Sequence, residues 1–276
     1  MAELNPQGFQ TTDDLIYPEQ PLTEQQVAQQ EGTLDLQGLP IEIAFKDIDK
    51  LPNEQYALVR KQGLGTSDSS IVVGVNPYKT VTELINEKAR DYITEEEKAV
   101  GNELSVRKGV DLEPLIIKKT SKVLGSPIIK PKDMYRSTEF PYMSFNYDGV
   151  MVTTDKIKYI PVEIKVVTSR GEKHYNPLKA YYAEEFGFNN IPENYSKGNN
   201  SIQTKAAQYG IPPYYYTQLQ QQIYGLNAPY GYLSVLFEKS WNLHTFFVWR
   251  DDHCISDIIV NGSKVWQRIE AKREAE

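Results

Sequence analysis

Regular hydrophobic spacing starts near Phe45. Before it, stretches such as "YPEQPLTEQQVAQQEG" are rich in Gln, Glu, Pro and Thr with little periodicity. Residues 1–45 are therefore expected to form a disordered or loosely docked extension, either solvated or an arm for a partner. Beyond it, "NEQYALVRKQG" reads as a short helix leading into "GLGTSDSSIVVGVNPYKTVTELINEKARDYI". There Ser67 or Asp68 can cap a helix that Gly74 and Pro77 end, and Thr80 with Glu83 forms a capping box for the next helix. An acidic stretch follows, then a longer helix across "GNELSVRKGVDLEPLIIKKTSKVLG".

Two strand-like runs come next, "YMSFNYDGVMVTT" and "KYIPVEIKVV", and "DKIK" between them predicts a hairpin. In the second run Val162, Ile164 and Val166 share one face, while Glu163 and Lys165 share the other. Residues 171–213 are rich in Asn, Gly and Tyr and weakly patterned. "YYYTQLQQQIYGL" then predicts a helix, "YGYLSVLF" and "HTFFVWR" two strands, and "DIIVNGSKVWQRIEAKREAE" a closing helix. This order of helices and antiparallel strands indicates one layered α/β or α+β domain over residues 46–276.

Composition agrees with a globular protein: 276 residues, 40% hydrophobic, with 19 tyrosines. No run approaches the roughly 18 apolar residues of a membrane helix. The start, "MAELNPQGFQTTDD", lacks the basic and apolar regions of a secretory signal. A cytoplasmic location and no membrane partner are expected. A lone Cys254 excludes an internal disulfide framework and a cluster held by four cysteines. The net charge of −7 is concentrated in residues 1–50, which carry −8 and leave +1 for the remainder. A near-neutral body with local basic patches remains able to bind a polyanion.

The Glu-x-Lys pattern occurs at Glu96–Lys98, Glu163–Lys165 and Glu270–Lys272. In helices, residues two apart do not face each other, so only the strand copy aligns both groups. By itself that copy also reads as a buried ion pair of little net stability. Asp148 in "NYDGVMV" changes the weighing, because it lies on the strand expected to pair with residues 159–167, with Gly149 allowing close approach. Glu113, in "DLEPLI", is supplied by the preceding helix. Three carboxylates and a lysine suit a hard divalent ion such as Mg²⁺ or Mn²⁺. Such an ion lowers the pKa of a bound water and neutralises phosphate charge, while Lys165 orients or stabilises the hydroxide. That is chemistry for phosphodiester hydrolysis.

The order Glu113, Asp148, Glu163-x-Lys165 resembles the core of the PD-(D/E)XK nucleases, a restriction-endonuclease-like fold with a mixed central sheet flanked by helices. Within them the chain resembles the YqaJ-type viral recombinase family, which includes lambda exonuclease. "GLGTSDSSIVVGVNPYKT", "GVDLEPLI", "NYDGVMV", "VEIKVVTSR", "PPYYYTQLQQQIYG" and "VWRDDHCISDII" carry the resemblance in family order, from residue 60 to about 266. It implies that Asp148 and Glu163 are metal ligands, with Ile164 between Glu163 and Lys165 counted in the metal site. Glu113 would be a ligand or hold a metal-bound water, and Lys165 would be the catalytic lysine. A family glutamine near the site corresponds to Gln218 or Gln220, with Gln218 favoured by its place in Q-x-Q.

Arg60 precedes a hydroxyl-rich turn into a helix N-terminus, a setting that suits an anion. The resemblance pairs Arg60 with Ser67 as a grip on a DNA 5′-phosphate and adds Arg170 of "TSR". A plain helix cap and a surface arginine are the competing readings. The implied activity is Mg²⁺-dependent 5′-to-3′ hydrolysis of linear double-stranded DNA in phage-type recombination, inside the bacterial host. The implied partners are duplex ends, a single-strand annealing recombinase and further copies of the chain in a ring, a trimer being expected. An endonuclease or junction-cleaving enzyme is an alternative, as is an inactive DNA-end-binding module. Asn146 stands where lambda-type enzymes have a serine near the phosphate. Residues 172–210 are longer than the family usually has, so they are expected to form an insertion. His174, His244 and His253 lack zinc-site spacing, and no G-x-S-x-G motif is present.

Overall fold

The computed structural model describes residues 32–101, 104–153, 159–180 and 201–275. Among them the strands are β1 (Ile41–Phe45), β2 (Ile128–Ile129), β3 (Met134–Ser137), β4 (Ser144–Phe145), β5 (Gly149–Val152), β6 (Tyr159–Val167), β7 (Tyr230–Phe237) and β8 (Asn242–Trp249). The helices are α1 (Asn53–Arg60), α2 (Ser69–Val72), α3 (Val81–Ala89), α4 (Glu95–Gly101), α5 (Leu104–Leu124), α6 (Ser169–Glu172), α7 (Ile202–Tyr209), α8 (Pro213–Gly225) and α9 (Asp252–Ala275).

The main sheet has the order β2-β5-β6-β7-β8 and is antiparallel except for the parallel pair β6–β7. A parallel neighbour cannot be reached by a tight turn. The chain accordingly leaves β6, passes through α6, α7 and α8, and returns as β7. A smaller antiparallel sheet, β1-β3-β4, lies beside it.

β6 forms where apolar and β-branched residues are densest, and it sits in the middle of the sheet with Val162 and Ile164 buried. Its charged face is covered too, by α8. On α8 Tyr216, Leu219 and Ile223 recur at helical spacing and are fully buried. Ile116 of α5 joins the same core. A second cluster, including Leu64, Ile71, Leu84, Val265 and Ile269, fastens α2 and α3 to α9.

The expected hairpin partners do pair antiparallel, Gly149 opposite Val162 and Val152 opposite Tyr159; residues 154–158 lie outside the described residues. The folded chain begins earlier than Phe45, which corrects the expected end of the extension. Leu34 and Ile41 are buried, and β1 pairs with β3. Residues 1–31 lie outside the described residues, as do 181–200 of the expected insertion. Helix α7 forms where no pattern was legible, begun by Ser201, which accepts the Thr204 N–H at 3.3 Å, and ended by Gly210 at φ +72°. Thr80 and Glu83 form their capping box as expected.

α8 reaches the sheet at Gly225, where an added Cβ would lie 2.5 Å from the Tyr147 hydroxyl and 2.8 Å from the Phe145 ring. Both rings are held in the core. Gly225→Ala is expected to lower the free energy of urea unfolding by about 1–3 kcal/mol, the usual cost of overpacking.

Candidate active site

The register of β5 on β6 sets the centre. Asp148 immediately precedes β5, and its Oδ2 accepts the backbone N–H of Ile164 at 3.0 Å. On the other side of β5 Gly149 lets β2 lie close, since a Cβ there would meet Ile128 Cγ2 at 2.8 Å. The Lys165 ammonium donates to Glu163 Oε1, to the Ile164 carbonyl at 3.0 Å and to Asp148 Oδ2 at 3.4 Å. α8 closes the centre from the other side. Gln218 Nε2 donates to Glu163 Oε1 at 2.5 Å, and Gln222 Nε2 to Oε2 at 2.6 Å. Those glutamines are one helical turn apart and so share a face. The Tyr215 ring lies 5.6 Å from the ammonium.

Glu163 is fully buried. Burial, then the Asp148 carboxylate, push it upward to about 7 against the pull of Lys165 and Gln222. Burial alone draws Lys165 down, but Asp148 and Glu163 overcome it and hold the ammonium well above the ordinary lysine value. The three oxygens on that ammonium come from Asp148, Glu163 and Ile164, the residues expected at the metal site. Hard oxygen donors already converging on a cation fit a divalent ion such as Mg²⁺. Among the described residues no three His, Cys, Asp or Glu side chains form a ready-made cage. Glu113 lies at the edge, in an ion pair with Lys130. Burial and Asp148 push its carboxyl up, against Lys130 and Lys165.

Gln220 points elsewhere. Its amide accepts the Asp251 N–H and donates to the Trp249 carbonyl, both at 2.8 Å, bracing the corner between β8 and α9. Gln222 was not singled out in the sequence, although its spacing from Gln218 was a usable signal.

Arg60 and Ser67 come together in a second cluster, with Arg60 Nη2 donating to Ser67 Oγ at 3.1 Å. Both are exposed, and Tyr56 underlies the guanidinium. Asn146 donates to the Tyr56 hydroxyl at 2.8 Å. Asp68, not Ser67, serves the turn: its Oδ2 accepts the Gly65 N–H at 2.9 Å. Beneath lies buried Lys88, which donates to the Arg60 and Gly63 carbonyls at 2.8 and 2.9 Å and pairs with Asp68 at 2.7 Å. Burial raises the Asp68 carboxyl, but Lys88, Arg60 and the Gly65 N–H outweigh it and keep it below the usual value. No pattern marked Lys88, which the sequence places among ordinary helix charges. Arg170 is exposed on α6 and makes no hydrogen bond or ion pair among the described residues.

A mixed sheet with two carboxylates and a lysine meeting at its central strand is the arrangement of the PD-(D/E)XK nucleases, a type generally dependent on divalent metal. Residues 55–225, more than half of the chain, match the YqaJ-like viral recombinase domain, and the chain belongs to that family. The uncharacterized protein YqaJ of Bacillus subtilis (strain 168) is 27% identical over 146 residues, 53% of this chain. The matched region spans 40% of that relative's length. The crystal structure of an alkaline exonuclease (LHK-Exo) from Laribacter hongkongensis superposes with a TM-score of 0.52 at 13% identity, covering 80% of this chain and 94% of that one. LHK-Exo in complex with dAMP gives 0.50 at 15% identity over the same shares of the two chains. These likenesses show the shared fold.

Lys88→Met would leave the Asp68 carboxylate buried without its cation. A loss of about 3–5 kcal/mol in denaturant unfolding is expected, with much of it recovered by adding Asp68→Asn. Gln220→Leu is expected to cost about 1–3 kcal/mol by stranding buried backbone groups. It should leave the surroundings of Glu163 unchanged, as read by NMR of a ¹³C-labelled Glu163 carboxyl, whereas Gln218→Leu should shift that signal.

Proposed function

We propose that the chain is a metal-dependent 5′-to-3′ exonuclease on linear double-stranded DNA. The observation that carries this reading is the convergence of Asp148, Glu163 and the Ile164 carbonyl on a single cationic position. A Mg²⁺ ion, or Mn²⁺ in its place, would be held by these groups, with Glu113 alongside. When bound it supplies charge neutralisation on the phosphate and acidifies water. Gln218 and Gln222 hold the Glu163 carboxylate in one orientation through both of its oxygens. Lys165, kept charged by its two carboxylate neighbours, holds the attacking water and donates to the phosphate.

Arg60 and Ser67 take the terminal 5′-phosphate by charge-assisted hydrogen bonding, and Arg170 adds a second guanidinium along the strand. The product is a 3′ single strand, suited to an annealing recombinase in phage-type recombination within the bacterial cytoplasm. A closed ring of copies, a trimer in this proposal, keeps the enzyme on its duplex. Among the described residues no helix is long and apolar enough to cross a membrane.

The test uses end-labelled linear duplex with Mg²⁺, comparing 5′-phosphorylated with 5′-hydroxyl ends and 5′ with 3′ labels. The 5′ end of the phosphorylated substrate should be lost first, and Lys165→Ala, assayed below its own thermal midpoint, should lower the rate by about 10²–10⁴-fold. That midpoint is expected to fall, because buried Glu163 loses its counter-charge. Arg60→Ala should reduce the preference for phosphorylated ends by about ten- to a hundredfold, the worth of a hydrogen bond to a charged group. Equal rates for wild type and Lys165→Ala would refute the proposal, and cutting of closed circular DNA would replace end-dependence with endonuclease action.

A further inference from the structure

Of the aromatic side chains among the described residues, Tyr78 stands out because 75% of its surface is exposed. It is nevertheless held firmly. Asn76 Oδ1 accepts the backbone N–H groups of Tyr78 and Lys79 at 2.8 and 3.0 Å. Asn76 Nδ2 in turn donates to Ser70 Oγ at 2.8 Å, and Ser70 Oγ donates to the Ser67 carbonyl at 3.4 Å. This relay ties the Tyr78 loop to the Arg60–Ser67 corner.

A second, independent tie runs the other way. The Tyr78 ring meets Tyr214 edge-on with centroids 5.8 Å apart, Tyr214 meets Tyr215 at 4.5 Å, and Tyr215 faces the Lys165 ammonium at 5.6 Å. Tyr214 and Tyr215 are half-buried, so their rings form a rail whose far end is the exposed Tyr78. An aromatic face with a polar hydroxyl, set between an anion-binding corner and a phosphodiester centre, suits a planar, polar-edged ligand that carries phosphate on both sides. A nucleotide within a strand has that chemistry, and every base offers a π face whatever its sequence.

We propose that Tyr78, buttressed by Tyr214, is a stacking platform for an unpaired nucleobase of the strand running from the Arg60–Ser67 corner to the Asp148–Glu163–Lys165 centre. The inference rests on the nuclease reading above, since it takes a nucleic-acid strand as the ligand. Stacking there holds the strand end away from its complement while the backbone reaches Lys165.

The experiment uses full-length Lys165→Ala protein, so that the probe stays intact, and 5′-phosphorylated single strands with 2-aminopurine placed at each of the first four positions. Fluorescence should fall on binding for one of these positions. Adding Tyr78→Ala should abolish that quenching and weaken binding at least tenfold, whereas Tyr78→Phe should retain both. Because the ring is exposed, an unchanged thermal midpoint is expected for either variant. Undiminished quenching and affinity in Tyr78→Ala would overturn the platform, as would failure of the probe to bind. Failure of the nuclease reading is a separate result, seen as wild-type cleavage by Lys165→Ala.

Discussion

A carboxylate taken wholly out of water governs this structure. Burial of Glu163 costs several kcal/mol unless both of its oxygens are satisfied. Lys165 two residues along β6 gives the counter-charge, and two amides from α8 fill the remaining positions. The demand fixes how α8 lies across the sheet, because Gln218 and Gln222 must both reach the same side chain. It also explains why the apolar face of α8 is so thoroughly packed: Tyr216, Leu219 and Ile223 anchor the helix that the glutamines depend on. The Asp148 carboxylate works against this balance by raising Glu163.

The Arg60–Ser67 corner solves a similar problem by a different route. Its buried groups are matched internally, Lys88 with Asp68 and with two backbone carbonyls, which leaves the Arg60–Ser67 pair at the surface. Arg273, near the end of α9, donates to the carbonyls of Lys61 and Lys88 at 2.7 Å each. The last helix thereby braces the first loop of the site, and the second hydrophobic cluster joins the same elements from below. Both centres set charged groups on rigid supports, as the proposed function requires.

Much of this was legible in the residues. β6, β7 and β8 stood out as runs of eight or nine residues rich in apolar and β-branched side chains, mostly buried along their length, and α8 and α9 as longer stretches with apolar residues at helical spacing. Asp148, Glu163 and Lys165 were legible because a strand places alternate residues on one face, and their convergence needed only one antiparallel register. The strands β1 to β3 escaped notice since two to five residues hold too little periodicity to read, and β4 was merged with β5 in one strand-like run. Gln218 and Gln220 could not be separated by spacing, because the choice depends on the roll of α8 about its axis, which tertiary packing sets. Lys88 was invisible for a related reason: a lysine whose charge is wholly consumed inside the fold is written with the same letter as a solvated one.

The parallel pairing of β6 and β7 has an evolutionary side. Register in the sheet is decided between Val162 and Val167 on one strand and Tyr232 and Phe237 on the other. The intervening crossover can gain or lose residues without shifting either strand, because loop closure becomes only slowly costlier with length. Residues 172–210 belong to that crossover, upstream of α8. A chain can therefore lengthen or shorten between β6 and α8 and still place Glu163 and Lys165 in the same register.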